Sequence, residues 1–213
     1  MASFADAFPP IALGALDGRY RAAAAPLVDH LSEAALNRER VRVEVEWLIH
    51  LTTNAIVPGV RSLSADEQAQ LRAIVDGFGQ DDVVELAEIE SETAHDVKAV
   101  EYYLKRRLMT ITGRPATEPT GILELIHFAC TSEDINNLSY ALMVKGAVEQ
   151  VWLPRATTLV DAIATMAREL RNVPLLAHGC WGRRLTVRVR KEGHVAQFAG
   201  HRGDSVNQGR GSG

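Results

Sequence analysis

Only two cysteines occur in the 213 residues, Cys130 and Cys180, and they form no CxxC pair. A disulfide framework and a cysteine zinc site are therefore excluded, and this cysteine usage points to a reducing cytoplasm. No stretch of about 18 apolar residues is present, so no membrane span is expected. No basic residue precedes Arg19, so the start lacks the charged lead of a secretory signal. The patterns G-x-x-x-x-G-K-[ST], G-x-G-x-x-G and G-x-S-x-G are all missing. That leaves P-loop or Rossmann nucleotide handling and nucleophile-elbow hydrolysis without support. His30, His50 and His127 have no partners at metal-ligand spacing, and no zinc motif exists.

What is present is ordinary in amount and uneven in place. Apolar residues make up 46% and charged residues 23%, values of a globular chain with a sizeable core. The net charge is −4. Residues 178–213 hold seven Arg and Lys against Glu192 and Asp204, a charge of +5, which leaves −9 for the first 177 residues. The same tail carries 8 of the 16 glycines and a single leucine, Leu185. So little apolar surface cannot offset the chain entropy, and a disordered tail is expected. A nucleic-acid arm is the sharper alternative, but the tail has few aromatics and no recognisable motif.

The body reads as helices. Leu36, Val41, Val45, Leu48 and Leu51 recur at helical spacing over 32–54, with Glu39, Arg42 and Glu46 elsewhere on the wheel. Ser64 and Glu67 have capping-box spacing and open a helix with Leu71, Ile74, Val75 and Phe78. Further helices are predicted over 81–91, 95–109 and 120–129, with Gly113, Pro115 and Pro119 marking a loop. A long helix follows from about 132, kinked or restarted at Pro154 and ended by Asn172 and Pro174. No run shows sustained strand alternation. The predicted class is all-α: a helical N-terminal domain (1–111), the start of a helical bundle (112–177) and a Gly/Arg-rich tail (178–213).

The chemistry-bearing clusters lie off the apolar stripes. Asp17-Gly18-Arg19-Tyr20 is a turn ending in a guanidinium and a phenol, able to bind phosphate or carboxylate or simply to face solvent. Ser91-Glu92-Thr93-Ala94-His95-Asp96 spans a helix junction. Its His-Asp pair suits proton transfer near neutral pH, and a plain capping role for Thr93 is the simpler reading. Cys130-Thr131-Ser132-Glu133-Asp134-Ile135-Asn136-Asn137 is the most unusual stretch. A helix N-terminus rich in hydroxyls makes an anion site, and a simple cap needs only one or two of these residues.

Taken together, DGRY, RVRVEVEWLIHL, ETAHDVKAVEYYLK and ELIHFACTSEDINNLSYALM resemble the adenylosuccinate lyases of the fumarase/aspartase superfamily, from about Leu16 to Ala177. The resemblance implies an all-α fold and a homotetramer whose active sites draw on several subunits. It implies β-elimination of fumarate from adenylosuccinate, and from the succinylated imidazole-carboxamide ribotide, in purine biosynthesis. It implies no metal or organic cofactor. Carried over residue by residue, Arg19 and Tyr20 are phosphate-side contacts. His95 and Asp96 form the substrate-binding His-Asp motif, with His95 assisting the acid, and Thr131 and Ser132 meet the succinyl carboxylate. The family often has Asn where Ala94 stands, so one side-chain hydrogen bond is expected to be missing.

The resemblance breaks after PLLA. The family continues Arg-Thr-His-Gly-Gln with its general-acid histidine, whereas here His178-Gly179-Cys180-Trp181 follows. His178 matches that histidine only across a two-residue gap, and the tail looks frame-disturbed. The chain as written is expected to show no lyase activity alone, and to expose apolar stripes over 138–170. Two other readings stand beside this one: a different superfamily lyase, and a non-catalytic helical module whose basic tail binds an acidic partner.

Overall fold

The computed structural model describes residues 14–113 and 121–172, together with the backbone of 175–178, 184–188 and 197–200. Helix α1, Glu33–Thr53, starts where Ser32 Oγ accepts the Ala35 N–H at 3.1 Å. Its Val41, Val45, Leu48 and Leu51 are inaccessible and form the axis of the core. Helix α2, Ala65–Asp76, has the full capping box: Ser64 Oγ accepts from the Glu67 N–H, and Glu67 accepts the Ser64 N–H. The Arg61 guanidinium beside Glu67 holds that carboxyl down at about 2.

Helices α3, Gln80–Thr93, and α4, Asp96–Thr112, pack on one another, and α4 packs on α1 and α2. Leu71, Val75, Leu86, Ile89, Val100 and Leu104 close the core between them. At the rim, the buried Tyr103 donates its hydroxyl to Asp82 at 2.7 Å, and Arg107 reaches Asp82 and Glu85. Gly113 ends α4 at φ +64°, a left-handed position that glycine takes without Cβ strain. Pro115 and Pro119 lie outside the described residues.

The helix expected over 120–129 is a correction. Only Ile122–Leu125 is helical, as one 3-10 turn, and the chain then bends with His127 at φ +62° and Ala129 at φ +58°. Short apolar runs do not distinguish a helix from a turn whose apolar residues all point inward. Here Ile122, Leu123, Leu125 and Ile126 all enter the core.

Helix α5, Ser132–Gly146, lies along α1. One-turn pieces at Arg21–Ala24, Ala25–Leu27 and Val28–Leu31 precede α1, and the last packs near the end of α5. A Cβ at Gly146 would sit 2.8 Å from His30 Nδ1, so any other residue there would displace the His30 ring. A π turn, Ala147–Trp152, then leads into α6, Leu153–Glu169. Pro154 has no N–H for the carbonyl four residues back, and the wider turn just before it absorbs the loss. This is the predicted interruption.

Contacts divide the chain into Met1–Trp152 and Leu153–Gly213. Within the second unit, Leu159, Val160, Ile163 and Met166 of α6, and Leu170 just after it, are each more than half exposed. Leu138 and Val144 on α5 are exposed too, so the expected apolar stripes are present. The all-α reading describes the body. From Leu175 on, three short antiparallel strands pair in the order β1 Leu175–His178, β2 Arg184–Arg188 and β3 Gln197–Gly200, and β2 and β3 lie within 178–213, where disorder was expected. Leu175 faces Val187 in register, and Val187 faces Phe198. The overlooked signal is the brief alternation Leu185-Thr186-Val187.

Candidate functional site

The junction between α3 and α4 is set by two residues. Ala94 ends α3 in the left-handed region at φ +51°, where an L side chain costs about 1–2 kcal/mol. That turn delivers His95 as the N-cap of α4, its Nδ1 accepting the Lys98 N–H at 3.2 Å. The expected cap, Thr93, instead donates its hydroxyl to the His95 carbonyl. With Nδ1 accepting, neutral His95 carries its proton on Nε2. The ring is half exposed, with Asp96 Oδ1 3.5 Å from Nδ1.

Asp96 is held by a residue that the sequence pattern did not single out. Arg40, on α1 and nearly inaccessible, donates Nη2 to Asp96 Oδ2, Nε to Asn136 Oδ1 at 2.9 Å and Nη1 to Asn37 Oδ1 at 3.1 Å. A guanidinium fork can serve three acceptors in one plane, which an ammonium cannot. Burial by itself would raise the Asp96 pKa. The Val97 N–H and Arg40 overcome it and hold the carboxyl below the ordinary aspartate range. Arg40 thus fastens together the starts of α4 and α5, two of the three polar stretches noted in the sequence.

At the start of α5, Thr131 gives both its N–H (2.8 Å) and its hydroxyl proton (2.9 Å) to Asp134 Oδ2. These bonds hold the Asp134 carboxyl below its ordinary range. The Thr131 oxygen keeps its lone pairs, and Ser132 follows as the first helical residue. The loop before them is tied to α1. Glu44, fully buried, accepts the His127 N–H at 3.0 Å and contacts His127 Nδ1 at 2.6 Å. Trp47 Nε1 donates to the Phe128 carbonyl at 2.9 Å. Burial pushes the Glu44 pKa up against the lowering pull of His127. His127, for which the sequence offered no partner at metal-ligand spacing, is paired with this carboxyl group.

The structure does not bring every predicted residue to this place. Arg19 stacks over the Tyr20 ring, 5.5 Å from its centroid, and no described bond joins either to His95, Asp96, Thr131 or Ser132. His178 pairs in register with Arg184 in β1, and its side chain lies outside the described residues. An open groove of about 690 Å³ between α1 and α5 is lined by Trp47, Leu138 and Leu142 among others, and not by His95, Asp96 or Arg40. Among the described residues, Arg40 thus joins Asp96, next to His95, to Asn136 of α5, while Thr131 bonds to Asp134 at the start of the same helix and Arg19 and Tyr20 lie outside this network.

The model of a family described as lyase matches residues 18–183. This chain belongs to the lyase family. It is 45% identical over 170 residues to an adenylosuccinate lyase of Haemophilus influenzae. Adenylosuccinate lyases of Escherichia coli K12 and Vibrio cholerae match over the same length at 44% and 42%. In each case the match covers 79% of this chain and 36% of the relative. The chain therefore spans about a third of the length of the curated relatives it matches.

One consequence for this lyase-family chain follows from Ala94. The sequence suggested that an Asn there would add a hydrogen bond. The backbone gives another reason, since Asn and Gly tolerate the left-handed region that Ala resists. Ala94→Asn and Ala94→Gly are each expected to stabilise the chain by about 0.5–1 kcal/mol, raising the melting temperature by roughly 1–4 °C. Scanning calorimetry checks this, and a fall in both variants contradicts the strain.

Proposed function

We propose that residues 18–172 form the substrate-binding part of an adenylosuccinate lyase. The reaction is β-elimination of fumarate from adenylosuccinate, leaving AMP, and from the succinylated imidazole-carboxamide ribotide in purine biosynthesis. A base takes the proton on the carbon beside a carboxylate; the electron pair left there forms the fumarate double bond as the carbon–nitrogen bond breaks, and an acid protonates the departing nitrogen. The enzyme is read as a cytoplasmic homotetramer, with 1–111 as N-terminal domain and 112–177 as the start of the central bundle.

The observation that carries this reading is the Arg40 bridge. It ties Asp96, next to His95, to Asn136 of the helix that Thr131 and Ser132 begin, which supports a site shared by these two stretches. The half-exposed His95 Nε2–H is a donor suited to the acid side of the reaction. Thr131 and Ser132, at a helix N-terminus, suit a carboxylate. Arg19, Tyr20 and His178 are proposed to join from elsewhere in the assembly.

The test is a graft. Residues 18–172 replace the aligned stretch of the Escherichia coli relative, and fumarate release is followed on adenylosuccinate and on argininosuccinate. The reading expects release from the first alone. A folded graft that releases none, or that prefers argininosuccinate, overturns it.

A further inference from the structure

We infer that Glu44 is a positioning residue for the Thr131-Ser132 helix start, acting through a clamp on the loop that leads into it. The inference rests on the function proposed above for Thr131 and Ser132.

The loop from Ile126 to Cys130 cannot hold its own shape by local preference. Two non-glycine residues within three positions, His127 and Ala129, are left-handed. Such residues persist only where the surroundings over-determine them. Helix α1 supplies that determination from Glu44 and Trp47, three residues apart and so on one face. Glu44 takes the backbone N–H of His127 with Oε2 and its ring Nδ1 with Oε1. Trp47 takes the next carbonyl, that of Phe128. Consecutive residues are thus gripped by two side chains of one rigid helix. Behind the clamp the hydrogen bonds run on in series, from the Cys130 N–H to the His127 carbonyl and from the Thr131 N–H to Asp134. Thr131 therefore stands where Glu44 puts it.

The charged neighbours fit this role. Glu101 of α4 and the Cys130 thiol lie close enough to Glu44 to interact with it, and Asp134 does so with His127. Against that acidic surround, a carboxylate buried with no exposed surface is an expensive way to fill space. A leucine would fill it without the desolvation cost, and only the clamp would go. A glutamine would keep the clamp: its carbonyl accepts the His127 N–H, and its amide donates to Nδ1 of the other histidine tautomer.

The experiment follows hydrogen exchange in the full 213-residue chain and in its Glu44→Leu and Glu44→Gln variants. In Glu44→Leu, exchange at His127, Phe128, Cys130 and Thr131 is expected to rise about tenfold or more, with α1 and α4 core amides unchanged. In Glu44→Gln it stays within about threefold of the parent. Unchanged loop exchange in Glu44→Leu overturns the clamp, and so does a rise spread evenly over α1 and α4. A second arm measures kinetics in the graft. Glu44→Leu is expected to raise KM about tenfold, with the smaller effect on kcat, and Glu44→Gln to restore it. A loosened loop with unmoved KM keeps the clamp and overturns the assignment of Thr131 and Ser132 as substrate contacts.

Discussion

Arg40→Met is expected to lower the melting temperature by roughly 5–10 °C and to uncouple the start of α4 from the start of α5. Arg40 is buried and serves three acceptors, so its removal leaves Asn37, Asn136 and Asp96 each short of a donor. Breaking a fully buried pair costs about 3–5 kcal/mol. Water reaches the Asp96 carboxylate, whose side chain is 44% exposed, and screening reduces the cost to about 2–3 kcal/mol. Arg40→Lys is expected to recover less than half of the loss, because one ammonium keeps the Asp96 pair and cannot span to Asn136.

The same pair sets a pH dependence. The Asp96 pKa is lowered on folding, so its contribution is full above the ordinary value of 3.8 and is lost as pH falls below it. The gap between parent and Arg40→Met is therefore expected to narrow below that pH. Melting temperatures at neutral and acid pH check both statements, and a variant as stable as the parent at neutral pH contradicts them.

The parts of this fold that were legible in the sequence are those with local causes. The stripe of α1, the Ser64-Glu67 cap of α2 and the interruption at Pro154 all arise within a few residues of one another. Arg40 and Glu44 escaped because, Asn37 apart, their partners lie 56 to 96 residues away. The helical wheel did hold a signal. Arg40, Glu44 and Leu48 repeat every four residues beside Val41 and Val45, so two charged groups sit on the face that must be buried. A charge there implies a partner, and the polar stretches over 91–96 and 130–137 were the candidates. The turn at His127 and Ala129 was illegible for a related reason, since tertiary bonds hold it against local preference. In the tail, composition argued for a poor core and said nothing about short strand pairing.

The central claim is that His95 belongs to the chemistry of a lyase and not only to a helix cap. Because His95 caps α4, His95→Ala alone confounds the two roles, and its lost cap costs about 1 kcal/mol. His95→Asn keeps an acceptor for the Lys98 N–H and removes the ring. The decisive measurement is fumarate release from adenylosuccinate by the graft carrying each variant. Both variants are expected to lose about a hundredfold or more, while His95→Asn keeps the stability of the parent. Activity within about threefold of the parent in His95→Asn would reduce His95 to a cap and contradict the account.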